Sequence, residues 1–294
     1  MKTPDLASVY QYPRYYAIGY QWNTKTECDF LEACVRKFRT SPATEPVDPL
    51  RRGSAAGRGS CGPRSVLDIG CGAGRHLFEM ARRGYRVCGF DARSEMVDYV
   101  KAEAGKQNTA VEVSVGNIRE VPVSGAFDVA ICLMDTFRFL LTNEDILEHL
   151  RRVAAHLTDG GLYLTDFWIP TKWDQIANEV YQWEQTEDGT TVRVFYLQHP
   201  ETIDPIQQTF EDELVFSIQE EGAAPREIRG ARTRTRLIMP QEFRALVEAS
   251  GVFECLGVFT EFDLARPLEP PELSWRMISV LKKRAVAAPV ARRR

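Results

Sequence analysis

The chain has 294 residues, 44% apolar and 27% charged, with a formal net charge of −4 and an isoelectric point near 5.7. The apolar share is ample for a core, and the length suits one large domain or a domain with an insertion. The acidic balance offers no global field for nucleic acid, no apolar run approaches the ~20 residues of a membrane helix, and the N-terminal segment lacks the apolar centre of a secretion signal. The cysteines at 28, 34, 61, 71, 88, 132 and 255 are scattered and lack CxxC spacing. They read as reduced thiols of a cytoplasmic protein, neither a disulfide framework nor a zinc site. The histidines at 76, 149, 156 and 199 show no ligand spacing, so no metal site is expected.

In chain order, residues 1–22 carry Tyr10, Tyr12, Tyr15, Tyr16, Tyr20 and Trp22 with no clean period. Such a segment either packs over the edge of a core or closes over a site. Phe30, Leu31, Cys34, Val35 and Phe38 recur at helical spacing and predict a helix over 24–39, so 1–40 is read as an N-terminal cover. Residues 41–64 are rich in Pro, Gly, Ser and Arg and read as a flexible linker.

Residues 65–91 are the most informative stretch. Val66, Leu67 and Ile69 form a short apolar strand, and Gly70-Cys71-Gly72-Ala73-Gly74 a turn with glycine at three of five positions. Helical spacing runs from Arg75 to Arg83, and Arg86 to Phe90 is a second buried strand ending at Asp91. An acid about 20 residues beyond a glycine turn suits a ribose diol, because a carboxylate accepts from both hydroxyls. A nucleoside-containing ligand is therefore expected at the carboxyl ends of these strands. A dinucleotide fingerprint is G-x-G-x-x-G; here the third glycine falls one residue early, at Gly74, and an acid, Asp68, sits inside the first strand.

Beyond Asp91, a helix is expected over 94–104 with Ser94 as N-cap, then a strand over 110–115 ending at Gly116-Asn117-Ile118. A fourth strand runs over 127–133, followed by Met134-Asp135-Thr136-Phe137-Arg138-Phe139. A helix over 143–157 places His149 and His156 on its surface. Asp159-Gly160-Gly161 reads as a stop and turn, and 162–167 as the fifth strand. This alternation argues for a parallel sheet, with ligands outside the carboxyl ends of its strands. From 180 to 237 the texture becomes that of antiparallel strands, with Asp188-Gly189 as a hairpin turn. Arg232, Arg234 and Arg236 share a period-two face near Arg226 and Arg229; they could meet an anion or RNA phosphate, or form a solvated face that protects a sheet edge. A helix over 239–250 and strands over 253–259 and 275–281 complete the core (238–284), and 285–294 is a basic tail.

The Asp-x-Gly-x-Gly-x-Gly pattern from Asp68 to Gly74 resembles motif I of class I S-adenosylmethionine (SAM) methyltransferases, and the wider stretch VLDIGCGAGRHLFEMARRGYRVCGFDARSEMVDYVKAEA is similar to that family. The resemblance implies an α/β, Rossmann-like, mostly parallel seven-stranded sheet with helices on both faces. It also implies a terminal antiparallel hairpin, a SAM-binding core over 65–179, and a small inserted β-sheet over 180–237 that covers the acceptor or forms an oligomer surface, as in a homodimer. It implies SAM as cofactor, S-adenosylhomocysteine (SAH) as product, and in-line methyl transfer to N or O of a small-molecule acceptor. The cofactor positions are Asp68 and the turn residues Gly70, Cys71, Gly72 and Gly74 at the amino-acid end, Asp91 at the ribose, Asn117 and Ile118 at the adenine, and Leu133 and Met134 beside the methyl, with Ala92 and Met96 as further cofactor contacts. The glycine turn and the following helix N-terminus would offer N–H groups to the amino-acid carboxylate. Asp135 is the candidate base, Asp166 a second one, and Tyr15, Tyr16 and Tyr20 would orient the acceptor. His76, in the first helix turn, suits packing or a carboxylate contact. An RNA or protein acceptor, an NAD-dependent oxidoreductase and a non-catalytic SAM-binding module are the alternatives, and nucleic acid is the weaker partner.

Overall fold

A computed structural model describes residues 9–39, 65–170, 180–269 and 274–285. The expected linker over 41–64, and nearly all of the expected basic tail, lie outside the described residues. A seven-stranded sheet is built from β1 (Ser65–Ile69), β2 (Arg86–Asp91), β3 (Glu112–Val115), β4 (Phe127–Cys132), β5 (Leu157–Trp168), β11 (Phe253–Phe259) and β12 (Arg276–Lys283). Their spatial order is β3-β2-β1-β4-β5-β12-β11. The first five pair in parallel, while β12 runs antiparallel to both β5 and β11. The chain order reverses between β1 and β4, and a crevice at such a switch point is where open α/β sheets bind ligands.

Period-two alternation assigns the two faces of the sheet. Leu67, Ile69 and Ala130 pack with α5 (Asn143–Ala155) and α6 (Pro240–Ser250) through Ile146, Leu150, Phe243 and Val247. Val66, Val129 and Ile131 pack on the opposite face with α2 (Thr24–Phe38), α3 (Arg75–Arg82) and α4 (Ser94–Gln107), through Leu31, Leu77 and Val100. β1 is buried along its whole length, as a strand covered by helices on both faces must be.

The second sheet has five strands: β6 (Val180–Glu187), β7 (Thr190–Asp204), β8 (Thr209–Glu220), β9 (Arg226–Arg229) and β10 (Thr233–Arg236). β6 and β7 are joined by the expected Asp188-Gly189 turn, both residues having positive φ (46° and 71°), as a two-residue hairpin whose twist matches its strands requires. The N-terminal aromatic segment packs on this sheet. α1 (Pro13–Tyr20) buries Ile18 and Tyr20 against Val192, Val194 and Phe216, Trp183 Nε1 donates to Gly19 O at 2.7 Å, and Tyr15 Oη donates to Glu220 at 2.9 Å. No helix among the described residues is long and apolar enough to cross a membrane.

Four local expectations change. Asp159-Gly160-Gly161 is a bulge inside β5, not a turn before it: pairing with β4 steps from Phe127–Leu157 to Val129–Leu162, and Gly160 takes φ 65° to fold out the extra residues. Ser94 is the first residue of α4 and does not cap it; Arg93 occupies the cap position, held by its N–H to Asp91 Oδ1 at 2.9 Å. His149 is fully buried and joins Ile118 O (2.8 Å) to Tyr163 Oη (2.7 Å), while burial pushes its pKa down to about 4. The arginine row is divided: Arg234 is exposed and pairs with Glu211 (3.3 Å), whereas Arg236 is 4% exposed and pairs with Glu242 (2.5 Å).

Candidate active site

A cavity of about 900 Å³ opens at the switch point, between the carboxyl ends of the parallel strands, the N-terminal aromatic segment and the inserted sheet. Of the expected positions, Gly70, Gly72, Asp91, Ala92, Asn117, Ile118, Met134, Asp135, Tyr16 and Tyr20 line it. Asp68, Cys71, Gly74, Met96 and Leu133 do not reach its surface; each is buried or serves the backbone of the turn.

At the nucleoside end, the glycine turn keeps side chains out. A Cβ on Gly70 would lie 2.5 Å from Thr136 Cγ2, and one on Gly72 would lie 3.1 Å from the Tyr16 ring; both residues have positive φ. Asp91 Oδ2 accepts the Gly72 N–H at 2.9 Å, so the expected ribose acid also holds the turn. Burial raises its pKa, opposed by the Arg93 and Gly72 amides. Asn117 Oδ1 caps its own loop by accepting the Arg119 N–H at 2.9 Å, and His149 fixes the carbonyl of Ile118.

Four amides of the turn are engaged within the protein. The N–H groups of Gly70 and Cys71 donate to Phe90 O, that of Gly72 to Asp91, and that of Gly74 to Cys71 O. Among the buried polar atoms without a hydrogen bond in this region are the acceptor Asp68 Oδ2, which has only His76 Nδ1 at 3.8 Å, and the donor Trp22 Nε1, the latter on a residue of the cavity wall. Burial raises Asp68 to about 6, with His76 and Arg75 opposing. His76 binds Glu27 through Nε2 at 2.6 Å and lies 3.8 Å from Asp68 Oδ2 through Nδ1. A free acceptor, a free donor and a side-chain-free turn fit the ammonium, carboxylate and close backbone approach of an α-amino acid carried on a nucleoside.

At the carboxyl end of β4, Met134 and Asp135 both adopt left-handed backbone, with φ of 55° and 63°. Each such residue costs about 1–3 kcal/mol and persists only where its surroundings over-determine it. Here Asp166 Oδ1 accepts the Met134 N–H (2.6 Å), Asp135 Oδ1 accepts the Trp168 N–H (2.6 Å), and Thr136 Oγ1 donates to Leu133 O (2.9 Å). Asp166 is 1% exposed, and its other oxygen accepts from Arg276 Nε at 2.5 Å. It is therefore a backbone anchor and no second base. Burial raises the Asp135 pKa, with Arg138 and the Trp168 amide opposing. Burial also raises Tyr16 and Tyr20 well above the phenol range, so both stay neutral and offer an O–H or a ring face, not a base. Their rings stack at 4.3 Å.

The far wall belongs to the insertion and was not foreseen residue by residue. Tyr181, Trp183, Tyr196 and Asp212 line it, with Trp168 from β5. Behind it Arg138, fully buried, donates to Arg236 O (2.9 Å), Tyr196 Oη (3.0 Å) and Thr235 Oγ1 (2.8 Å), and pairs with Asp212 (3.2 Å) and more loosely with Asp135 (3.7 Å). Burial works against its charge, and Tyr196, Asp212 and Asp135 more than offset it. Arg138 thus ties the short helical turn after β4 to the insertion.

Residues 66–161 match the methyltransferase-domain family. A Geobacillus sp. (strain WCH70) protein named for methyltransferase activity is 26% identical over 76% of this chain and 87% of its own length. The dTDP-4-amino-2,3,4,6-tetradeoxy-D-glucose N,N-dimethyltransferase of Saccharopolyspora spinosa is 31% identical over 37% of this chain and 43% of its own, so the chain matches less than half the length of that relative. Among solved structures, a SAM-dependent methyltransferase from Clostridium acetobutylicum superposes with a TM-score of 0.67 at 15% identity, over 92% of this chain and 98% of that one. A SAM-bound amino pentose methyltransferase from Micromonospora echinaspora superposes with 0.62 at 18% identity, over 97% and 100%. The likeness to these structures is one of fold. The methyltransferase-domain match over residues 66–161, together with the motif from Asp68 to Gly74 and the strand order, marks this region as a methyltransferase domain similar to those of the class I SAM-dependent enzymes.

Proposed function

We propose that this enzyme methylates a nitrogen or oxygen of a small-molecule acceptor held between the Rossmann-like core and the inserted sheet. The observation that carries the reading is the enclosure of the cavity: α1 and the insertion roof the carboxyl ends of β1, β2 and β4 with aromatic side chains, leaving about 900 Å³. That volume lies at the upper end of the ~300–1,000 Å³ typical of small-molecule sites, room for a nucleoside and a modest acceptor. Relatives named as amino-sugar N,N-dimethyltransferases favour nitrogen. The surface arginines of the insertion pair with Glu201, Glu211 and Glu213, which leaves an RNA or protein acceptor with little support.

When bound, SAM supplies an electrophilic methyl on a sulfonium sulfur. Asp91 would accept the ribose hydroxyls, Asn117 and Ile118 would border the adenine, Trp22 would meet the amino-acid end with Asp68, set back from the cavity surface, reaching it through water, and Met134 would wall the methyl. The chain's own task is to hold the acceptor in line and exclude water, and positioning of this kind contributes about 7–11 kcal/mol in favourable systems. An acceptor that arrives as an ammonium would first give a proton to Asp135, whose raised pKa suits it as a base, so that the freed lone pair could take the methyl; a hydroxyl acceptor would give its proton to the same carboxylate. Tyr16 and Tyr20 would present neutral O–H groups or ring faces to the acceptor.

The test is transfer of labelled methyl from SAM to a panel of amino sugars, small aliphatic amines and hydroxylated counterparts, read by mass spectrometry. Methylated low-mass product is the expected result. Label found only on protein or RNA would overturn the small-molecule reading.

A further inference from the structure

We infer that the acceptor binds as a cationic amine and that Asp212 Oδ1 is its seat, the residue that selects ammonium over hydroxyl. This rests on the small-molecule reading above and deepens it. Asp212 lies on β8, lines the cavity and is 5% exposed. Its Oδ2 is saturated: Tyr196 Oη (2.5 Å) and Thr235 Oγ1 (2.6 Å) donate to it, and the Arg138 guanidinium lies 3.2 Å away. Its Oδ1 has no partner. A buried carboxylate oxygen left unpaired is costly and calls for an explanation. Tyr196, Thr235 and Arg138 fix the carboxylate from one side only, so the free oxygen is held in place instead of turning to find a donor.

Charge points to the kind of donor. Arg138 serves both Asp212 (3.2 Å) and Asp135 (3.7 Å), so two carboxylates share one guanidinium and this end of the cavity carries one net negative charge. Of the insertion residues that line the cavity, Asp212 is the one charged group. The wall therefore has no cation for a phosphate or carboxylate, and a single positive charge is what balances it. The rings of Tyr181, Trp183 and Tyr196 lie in the same wall, and aromatic faces attract a desolvated ammonium. Asp212 is a specificity residue in this account, and Arg138, which touches no cavity surface, is a positioning residue that acts through it.

The experiment uses the full chain saturated with SAH at neutral pH and compares cyclohexylammonium with cyclohexanol, a matched pair differing in the charged donor, by calorimetry and by the tryptophan indole resonances. The expected result is that cyclohexylammonium binds at least about tenfold more tightly, the scale of one charge-assisted hydrogen bond, and that Asp212→Asn removes the preference while SAH affinity is retained. Equal binding of the two, no detectable binding of the cation, or an undiminished preference in Asp212→Asn would each overturn the inference. The wild-type comparison stands without the variant, should loss of the charge that faces Arg138 unfold the protein. Failure of SAH itself to bind would strike the methyltransferase assignment, and methyl transfer confined to macromolecules would strike the small-molecule reading; SAH binding with no cation preference overturns only the seat at Asp212.

Discussion

Replacing Arg138 by Met tests whether the insertion is bound to the core through one buried charge network. Arg138 is fully buried and makes three hydrogen bonds at 2.8–3.0 Å plus an ion pair at 3.2 Å. Met keeps most of the volume but leaves Asp212, itself 5% exposed, without its counter-charge, and leaves Arg236 O without this donor. Removing one partner of a buried pair costs about 3–5 kcal/mol, a large share of the ~5–15 kcal/mol by which domains are stable. Urea denaturation followed by tryptophan fluorescence reads the loss as a lower midpoint. Asp212→Asn alone should cost less, because Arg138 keeps Asp135 and its three neutral acceptors. In the double variant the stranded charge is gone, so its destabilisation should fall short of the sum of the singles by about 1–3 kcal/mol. A cost below about 1 kcal/mol for Arg138→Met, or strict additivity in the cycle, would refute the network.

Asp135→Asn should slow single-turnover methyl transfer by about 10²–10⁴-fold, the usual worth of a general base, while SAH affinity changes little; an unchanged rate removes Asp135 from the chemistry. SAH affinity should rise with pH. The folded carboxyl of Asp68 is raised to about 6 and must ionise to meet the ligand's ammonium, so binding tightens from pH 5 to 7, levels above, and is flat in Asp68→Asn by calorimetry. In the free protein the sign is opposite for stability: a folded pKa above the unfolded one means the native state holds the extra proton between about 4 and 6, so this group's contribution to stability falls as pH rises through that window. His149→Phe should lower the urea midpoint by about 1–3 kcal/mol, because Ile118 O and Tyr163 Oη lose their buried partner; no shift would show the bridge to be dispensable.

The parts of the site legible in the sequence were those that local rules govern. Glycine at 70, 72 and 74 and an acid at 91 have meaning through spacing alone, because turn geometry and the pitch of β-α-β units fix where they fall. Asp212 was not legible. In QTFEDELVFSI three acids, Glu211, Asp212 and Glu213, stand in a row, and a one-residue shift in register decides which faces the cavity. Arg138 escaped for a different reason: a fully buried arginine is rare, and its partners lie about 60 to 100 residues away in sequence. The turn expected at Asp159-Gly160-Gly161 failed because a glycine pair signals a kink without saying whether the strand resumes. The same limit placed His149 outside, since helical periodicity does not register the carbonyl and the phenol that capture its ring.

The most direct test of the account is calorimetric titration with SAH and with NAD, on the wild-type chain and on Asp91→Ala, with urea midpoints confirming that both are folded. The expected result is one SAH per chain, affinity lowered at least about tenfold in Asp91→Ala by loss of charge-assisted hydrogen bonds to the ribose, and no heat from NAD. Binding of NAD in place of SAH, or SAH affinity indifferent to Asp91 in a folded variant, would contradict it.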